Sequence, residues 1–137
     1  MLVSIMELRV NVKGESRLED ELNKRFSSSA LEKIVDKALT AGARVIKREL
    51  EKSFESFKDQ GYSQEEITIS KPMTLDGERT VVIYWSGPHK RYTIIHLNEF
   101  GTVKNPNPRG KGAVERAIRA GRAEYLRVVR QEIGGAM

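Results

Sequence analysis

His89 and His96 are the only imidazoles this chain offers to proton transfer or metal binding, and neither has a partner at a useful spacing. General acid–base and nucleophilic catalysis need one reactive group held beside a second. His89 lies in the turn sequence Ser86-Gly87-Pro88-His89, next to Lys90 and Arg91, where it is expected to be exposed. His96 and Glu99 are three apart in a run that reads as a strand end, and odd spacing on a strand sends them to opposite faces. There is no His-Glu-x-x-His pattern. There is also no cysteine, which removes disulfides and thiolate metal sites. The chain is expected not to be an enzyme, and no catalytic, cofactor or metal residue is assigned.

Two other groupings bear on binding. Gly110-Lys111-Gly112 stands before a helix, where backbone N–H groups can cradle a phosphate. It lacks the third glycine and preceding strand of a dinucleotide site, and the Lys-Ser/Thr of a P-loop; a flexible helix entry is the plainer account. The second grouping is basic. Residues 104–137 hold eight Lys+Arg against three Asp+Glu, whereas residues 1–103 hold sixteen of each, so the whole net charge of +5 sits in the last quarter. On a helix from about Ala113 to Ile133, Arg116, Arg119, Arg127 and Arg130 fall within roughly 80° of one another, at about 100° per residue. Val114, Ile118, Gly121, Tyr125, Val128 and Val129 fall on the opposite side. Such a stripe suits an acidic protein face or the phosphates of a nucleic acid. Tyr84, Trp85 and Tyr92 fall on expected strands, where core or interface packing is favoured over base stacking.

The elements that must position these residues follow from periodicity. Met6, Leu8, Val10 and Val12 alternate with polar residues, which predicts a strand closed by Gly14. Ser16 and Glu19 have capping-box spacing for a short helix to about Phe26, and Ser29 and Glu32 repeat it for a longer one. Apolar residues from Leu31 to Phe57 follow helical spacing, with Gly61 as a stop. Residues 29–60 in one helix would span roughly 48 Å, against about 37 Å for a compact chain of this length. The helix is therefore expected to bend near Gly42 or to overhang onto a neighbouring subunit. Ile67 and Ile69 alternate with Thr68 and Ser70, and Pro72 marks an edge or strand end. Asp76-Gly77 signals a hairpin turn, and Thr80–Trp85 and Tyr92–Leu97 read as further strands. The pattern predicts one α+β domain over residues 1–137. Its antiparallel β-meander packs against a long amphipathic helix, and a 104–112 loop leads to the basic helix 113–133. No apolar run reaches the roughly 20 residues of a membrane span, and no signal peptide is expected at the start. Cytosolic folding or assembly is expected.

The strand-like Ile94-Ile95-His96-Leu97-Asn98 runs into Glu99-Phe100-Gly101-Thr102, then a Pro/Gly/Asn loop from Lys104 to Gly112, then the arginine-rich helix. This order resembles the neck and tail-completion proteins of long-tailed bacteriophages, a family described as tail components. Ser29 to Gln60 matches the family's long helix, Ile94 to Thr102 its strand and motif, and Asn105 to Ile133 its loop and last helix. The match covers most of the chain, but only the four motif residues match closely. One departure is visible. The family enters its last helix through a Pro-Phe-Leu-Arg-Pro-Ala-like segment, where this chain has Gly112-Ala113-Val114-Glu115-Arg116-Ala117.

The resemblance implies a structural protein of a phage or prophage, located in the virion and assembled in the host cytoplasm. It would join the tail to the head connector as a ring component. Related neck proteins suggest six-fold rings. The implied partners are connector and tail proteins and further copies of the chain, with no membrane. Glu99, Phe100, Gly101 and Thr102 would fix the loop that meets the next ring member or the connector. On physical grounds Phe100 is expected to pack under the turn at Gly101, and Glu99 to lie at a sheet edge within reach of an arginine. Arg116, Arg119, Arg127 and Arg130 would meet an acidic neighbour or line a DNA passage without sequence preference. The alternative class is a basic nucleic-acid-binding module using the same arginine face, whose binding must weaken steeply with salt.

Overall fold

The computed structural model describes residues 2–3, 7–11, 28–55, 57 and 60–136. Five strands form an antiparallel sheet: β1 (Leu2–Val3), β2 (Glu7–Val10), β3 (Ile67–Ile69), β4 (Met73–Leu75) and β5 (Glu78–Trp85). Four helices accompany it among the described residues: α1 (Ser28–Glu55), α2 (Tyr62–Glu65), α3 (Ile95–Phe100) and α4 (Ala113–Ala136). A 3-10 turn over Arg91–Thr93 precedes α3. The α+β class, the sheet against the long helix and the separate C-terminal helix are as the sequence predicts. The short helix expected between Ser16 and Phe26 lies outside the described residues. Ser29, expected as a cap, falls inside α1.

Strand β5 organises the sheet. Along one side β2 pairs with it from Glu7↔Tyr84 to Val10↔Val81. Along the other side β3 pairs at Ile67↔Trp85 and β4 at Leu75↔Glu78. Pro72, which has no N–H to give, falls in the break between β3 and β4. There the hydroxyl of Ser70 accepts from Val82 N at 2.8 Å and keeps the ladder satisfied. Asp76 and Gly77 both have positive φ, 51° and 79°, which is the type I′ geometry of a two-residue hairpin.

The core forms where one face of α1 meets the sheet and α4. Val35, Ala38, Leu39, Val45, Ile46, Leu50 and Phe54 of α1 are buried, together with Leu8, Val10, Val81, Ile83 and Trp85 of the sheet. Helix α4 contributes Ala113, Val114, Ala117, Tyr125, Val129 and Ile133, and Ile118 packs partly buried against the same cluster. This is the apolar face predicted for the last helix. Gly42 sits where the two long helices cross. A Cβ there would lie 2.6 Å from the Tyr125 ring and 2.9 Å from Val129. Gly121 in turn faces Ile46 and Glu49. Two glycines, one on each long helix, let the backbones approach closely.

One predicted element is wrong. Tyr92–Leu97 is not a strand but the 3-10 turn followed by α3. The apolar residues there do not alternate in burial, since Ile95 is buried while Leu97 is exposed. β-Branched composition favours strands only where a neighbouring strand supports the pairing, and both sides of β5 are already taken.

Candidate interaction surface

The segment from α3 into α4 is held by its own side chains. One Glu99 carboxylate oxygen accepts from Val114 N at 2.8 Å and the other from Glu115 N at 3.1 Å. The Glu99 carbonyl accepts from Gly112 N at 3.0 Å. Glu99 thus caps the first turn of α4 from another element, placing negative charge where free N–H groups and the helix dipole favour it. It does not reach an arginine at a sheet edge, because no strand ends there. The helical spacing puts His96 and Glu99 on neighbouring positions, yet the carboxylate is committed to backbone amides. Nδ1 of His96 is buried with no hydrogen-bond partner among the described residues.

The rest of the motif follows. Gly101 has φ 77° and ψ 176°, a conformation open to glycine alone, and a side chain there would strike the Pro106 carbonyl. Its glycine-only backbone is as expected, although it ends a helix rather than a strand. Thr102 N donates to Asn105 O at 3.0 Å and its hydroxyl accepts from Asn105 N at 2.9 Å, closing a tight loop. Lys111 Nζ donates to Pro106 O at 2.8 Å. The helix entry at Gly110-Lys111-Gly112 is therefore filled by Glu99 and leaves no phosphate cradle. Replacing Glu99 with Ala is expected to cost about 2 kcal/mol, the loss of a charged cap with two N–H groups left open. Glu99→Gln should cost less, and urea unfolding of the two variants checks the order.

Phe100 departs from expectation. It does not pack under the turn: 59% of it is exposed, and Val103 at the loop tip is fully exposed. Leu97, three residues before Phe100 on the same helix, and Tyr92 in the preceding turn are each 40% exposed. One exposed apolar residue is ordinary; four within twelve positions of one segment make it the candidate contact surface. Leu97 escapes sequence reasoning because the stretch reads as a strand; Tyr92, expected in the core or at an interface, lies on the outside.

The arginine face is exposed as predicted but partly neutralised on its own helix. Arg119 pairs with Glu115 at 2.5 Å, and Arg127 grips Glu124 through Nη2 at 2.6 Å and Nε at 2.8 Å. The Arg127 hydrogen bond holds the Glu124 carboxyl below the usual range, and the same bond raises Arg127. Arg116 donates to Lys111 O at 2.6 Å, tying the stripe to the loop. Arg130 is exposed on the same face. No protein-family model, curated protein or solved structure matches the chain. The described helices include none long and apolar enough to cross a membrane. Among the described residues no group of three His, Asp or Glu side chains is placed to hold a metal.

Proposed function

We propose that the chain is a structural protein of a tailed phage or prophage, acting at the neck to complete the tail and join it to the head connector as one subunit of a ring. The observation that carries this reading is the division of labour within Glu99-Phe100-Gly101-Thr102. Three of the four residues fix the loop and the last helix, and the fourth, Phe100, is left facing outward. The exposed apolar side chains around Phe100 fit a protein neighbour better than a polyanion. The pairing of Arg119 and Arg127 with glutamates on their own helix also weakens the nucleic-acid alternative. A homomeric ring needs two different patches that meet head to tail and close. The Phe100 segment and the edge at Ile67–Pro72 are the candidate pair.

The test is a deletion in the phage or prophage that carries the gene. Lysates should contain filled heads and finished tails that remain unjoined in electron micrographs. The wild-type gene should restore joined particles. Phe100→Asp should not, while the purified variant keeps its melting temperature, because an exposed side chain contributes little to folding. Joined, infectious particles from the deletion would end the neck assignment. Salt-sensitive DNA binding by the purified protein would move it to the alternative class.

A further inference from the structure

A cavity of about 500 Å³ lies where the end of α1, helix α2, helix α3 and the 101–112 loop meet. Its size falls within the roughly 300–1,000 Å³ of small-ligand sites. Phe54 and Phe57 make one wall, with ring centroids 5.2 Å apart. Trp85 stacks behind Phe54 at 5.9 Å. Arg91, Arg109, Asn98 and Asn105 line the polar side, and no carboxylate is among the described lining residues.

Arg91 is held at two points. Its backbone N–H donates to a buried Glu66 oxygen at 2.9 Å, and its Nε donates to the Ser63 hydroxyl at 2.8 Å. The guanidinium is thereby oriented, while Nη1 and Nη2 meet no acceptor among the described residues. The nearby carboxylates are already engaged. Glu66 takes the N–H groups of His89 and Arg91, and Glu55 takes the Gln64 amide at 2.8 Å. A planar cation fixed in place beside an aromatic wall, with no carboxylate on its Nη atoms among the described residues, is the arrangement that receives a carboxylate or phosphate two-pronged.

We propose that this cavity binds an oxyanion carried on an apolar group, with Arg91 holding the anion, Asn98 and Asn105 its remaining oxygen atoms, and Phe54 and Phe57 the apolar part. The proposal does not depend on the neck assignment. The anion's source is either the carboxylate at the end of a protein chain or a small phosphate ester, and the two are separable by probe. The protein is titrated with N-acetylphenylalanine, with its uncharged amide, and with phenyl phosphate. Amide and indole NMR shifts provide the readout, along with the fluorescence of Trp85, the only tryptophan in the chain.

Shifts at Ser63, Arg91, Asn98 and the Trp85 indole are expected with the acid. Affinity should be about tenfold lower for the amide, the usual scale of a charge-assisted hydrogen-bond pair. Arg91→Gln should weaken the acid by a similar factor and leave the amide unchanged. Stronger binding of phenyl phosphate than of the acid assigns the source as a phosphate ester, and the reverse assigns it as a chain end. Equal binding of acid and amide to the wild-type protein with phenyl phosphate no tighter than either, shifts confined to other surfaces, or no binding of either anion would overturn the proposal. The wild-type comparison stands even if Arg91→Gln folds poorly.

Discussion

Gly42→Leu is expected to destabilise the protein by roughly 3 kcal/mol or more, the upper end of what overpacking a core costs. The first side-chain carbon alone would lie 2.6 and 2.8 Å from two Tyr125 ring atoms and 2.9 Å from Val129. Tyr125 cannot swing clear cheaply, because it is buried and its hydroxyl donates to Asn11 O at 3.2 Å. Gly42→Ala tests the same point with opposed effects. Helix propensity favours alanine over glycine by about 1 kcal/mol, while the contact at the Tyr125 ring opposes it. Destabilisation by Gly42→Ala in urea unfolding would show that the crossing, and not propensity, sets the sign. Gly121→Ala is the control. Its Cβ would meet Glu49 Cγ at 2.9 Å and Ile46 Cδ1 at 3.1 Å, fewer and looser contacts than the three under 3.0 Å at Gly42. It should cost less than Gly42→Ala. If the two alanine variants behave alike, the close crossing at Gly42 has been misjudged.

Glu66→Ala is expected to cost roughly 3 kcal/mol, about what two unsatisfied N–H groups and a lost charged acceptor amount to. Glu66 is only 3% exposed. Its two carboxylate oxygens accept from His89 N at 2.6 Å and Arg91 N at 2.9 Å. Gly87 lies directly over the side chain, where a Cβ would sit 2.6 Å from the carboxylate carbon. Glu66→Gln keeps one acceptor but turns an amide NH2 towards a backbone N–H, so it should fall between wild type and Ala. Hydrogen exchange reads the effect at its source, since the amides of His89 and Arg91 should both lose protection in Glu66→Ala and one of them in Glu66→Gln. Unchanged protection at both amides would mean that the carboxylate does not hold the turn.

Sequence periodicity was enough for the elements whose pattern is repeated and whose ends are marked. Helix α1 has apolar residues over many turns, β5 is β-branched and aromatic beside an Asp-Gly turn, and α4 has an apolar face opposite its arginines. The region from Arg91 to Phe100 was misread because six or seven residues with Ile, Ile and Leu suit a short helix as well as a strand. What decided between them is the occupancy of both sides of β5, which is tertiary information. The same cause hid the site chemistry. Glu99 is fifteen positions from the amide it caps, and Glu66 is twenty-three from His89. No local spacing rule reports such partners. Gly101 could be read correctly because its constraint lies in its own backbone. The cavity was not legible, since its lining comes from four separate segments brought together only by the fold.

The crossing of α1 and α4 also sets an order of events during synthesis. Gly42 leaves the ribosome ~80 residues ahead of Gly121, which at about 5–20 residues per second leaves an interval on the order of 4–16 s. Throughout it, the stripe of α1 that Tyr125 and Val129 will cover has no native cover of its own. The sheet can form in that time and shield part of α1, because β2 and β5 both precede α4 in the chain. The groove around Gly42 stays open until α4 arrives. A nascent chain with a waiting apolar groove is a natural client for a chaperone, and release is then timed by the docking of one helix.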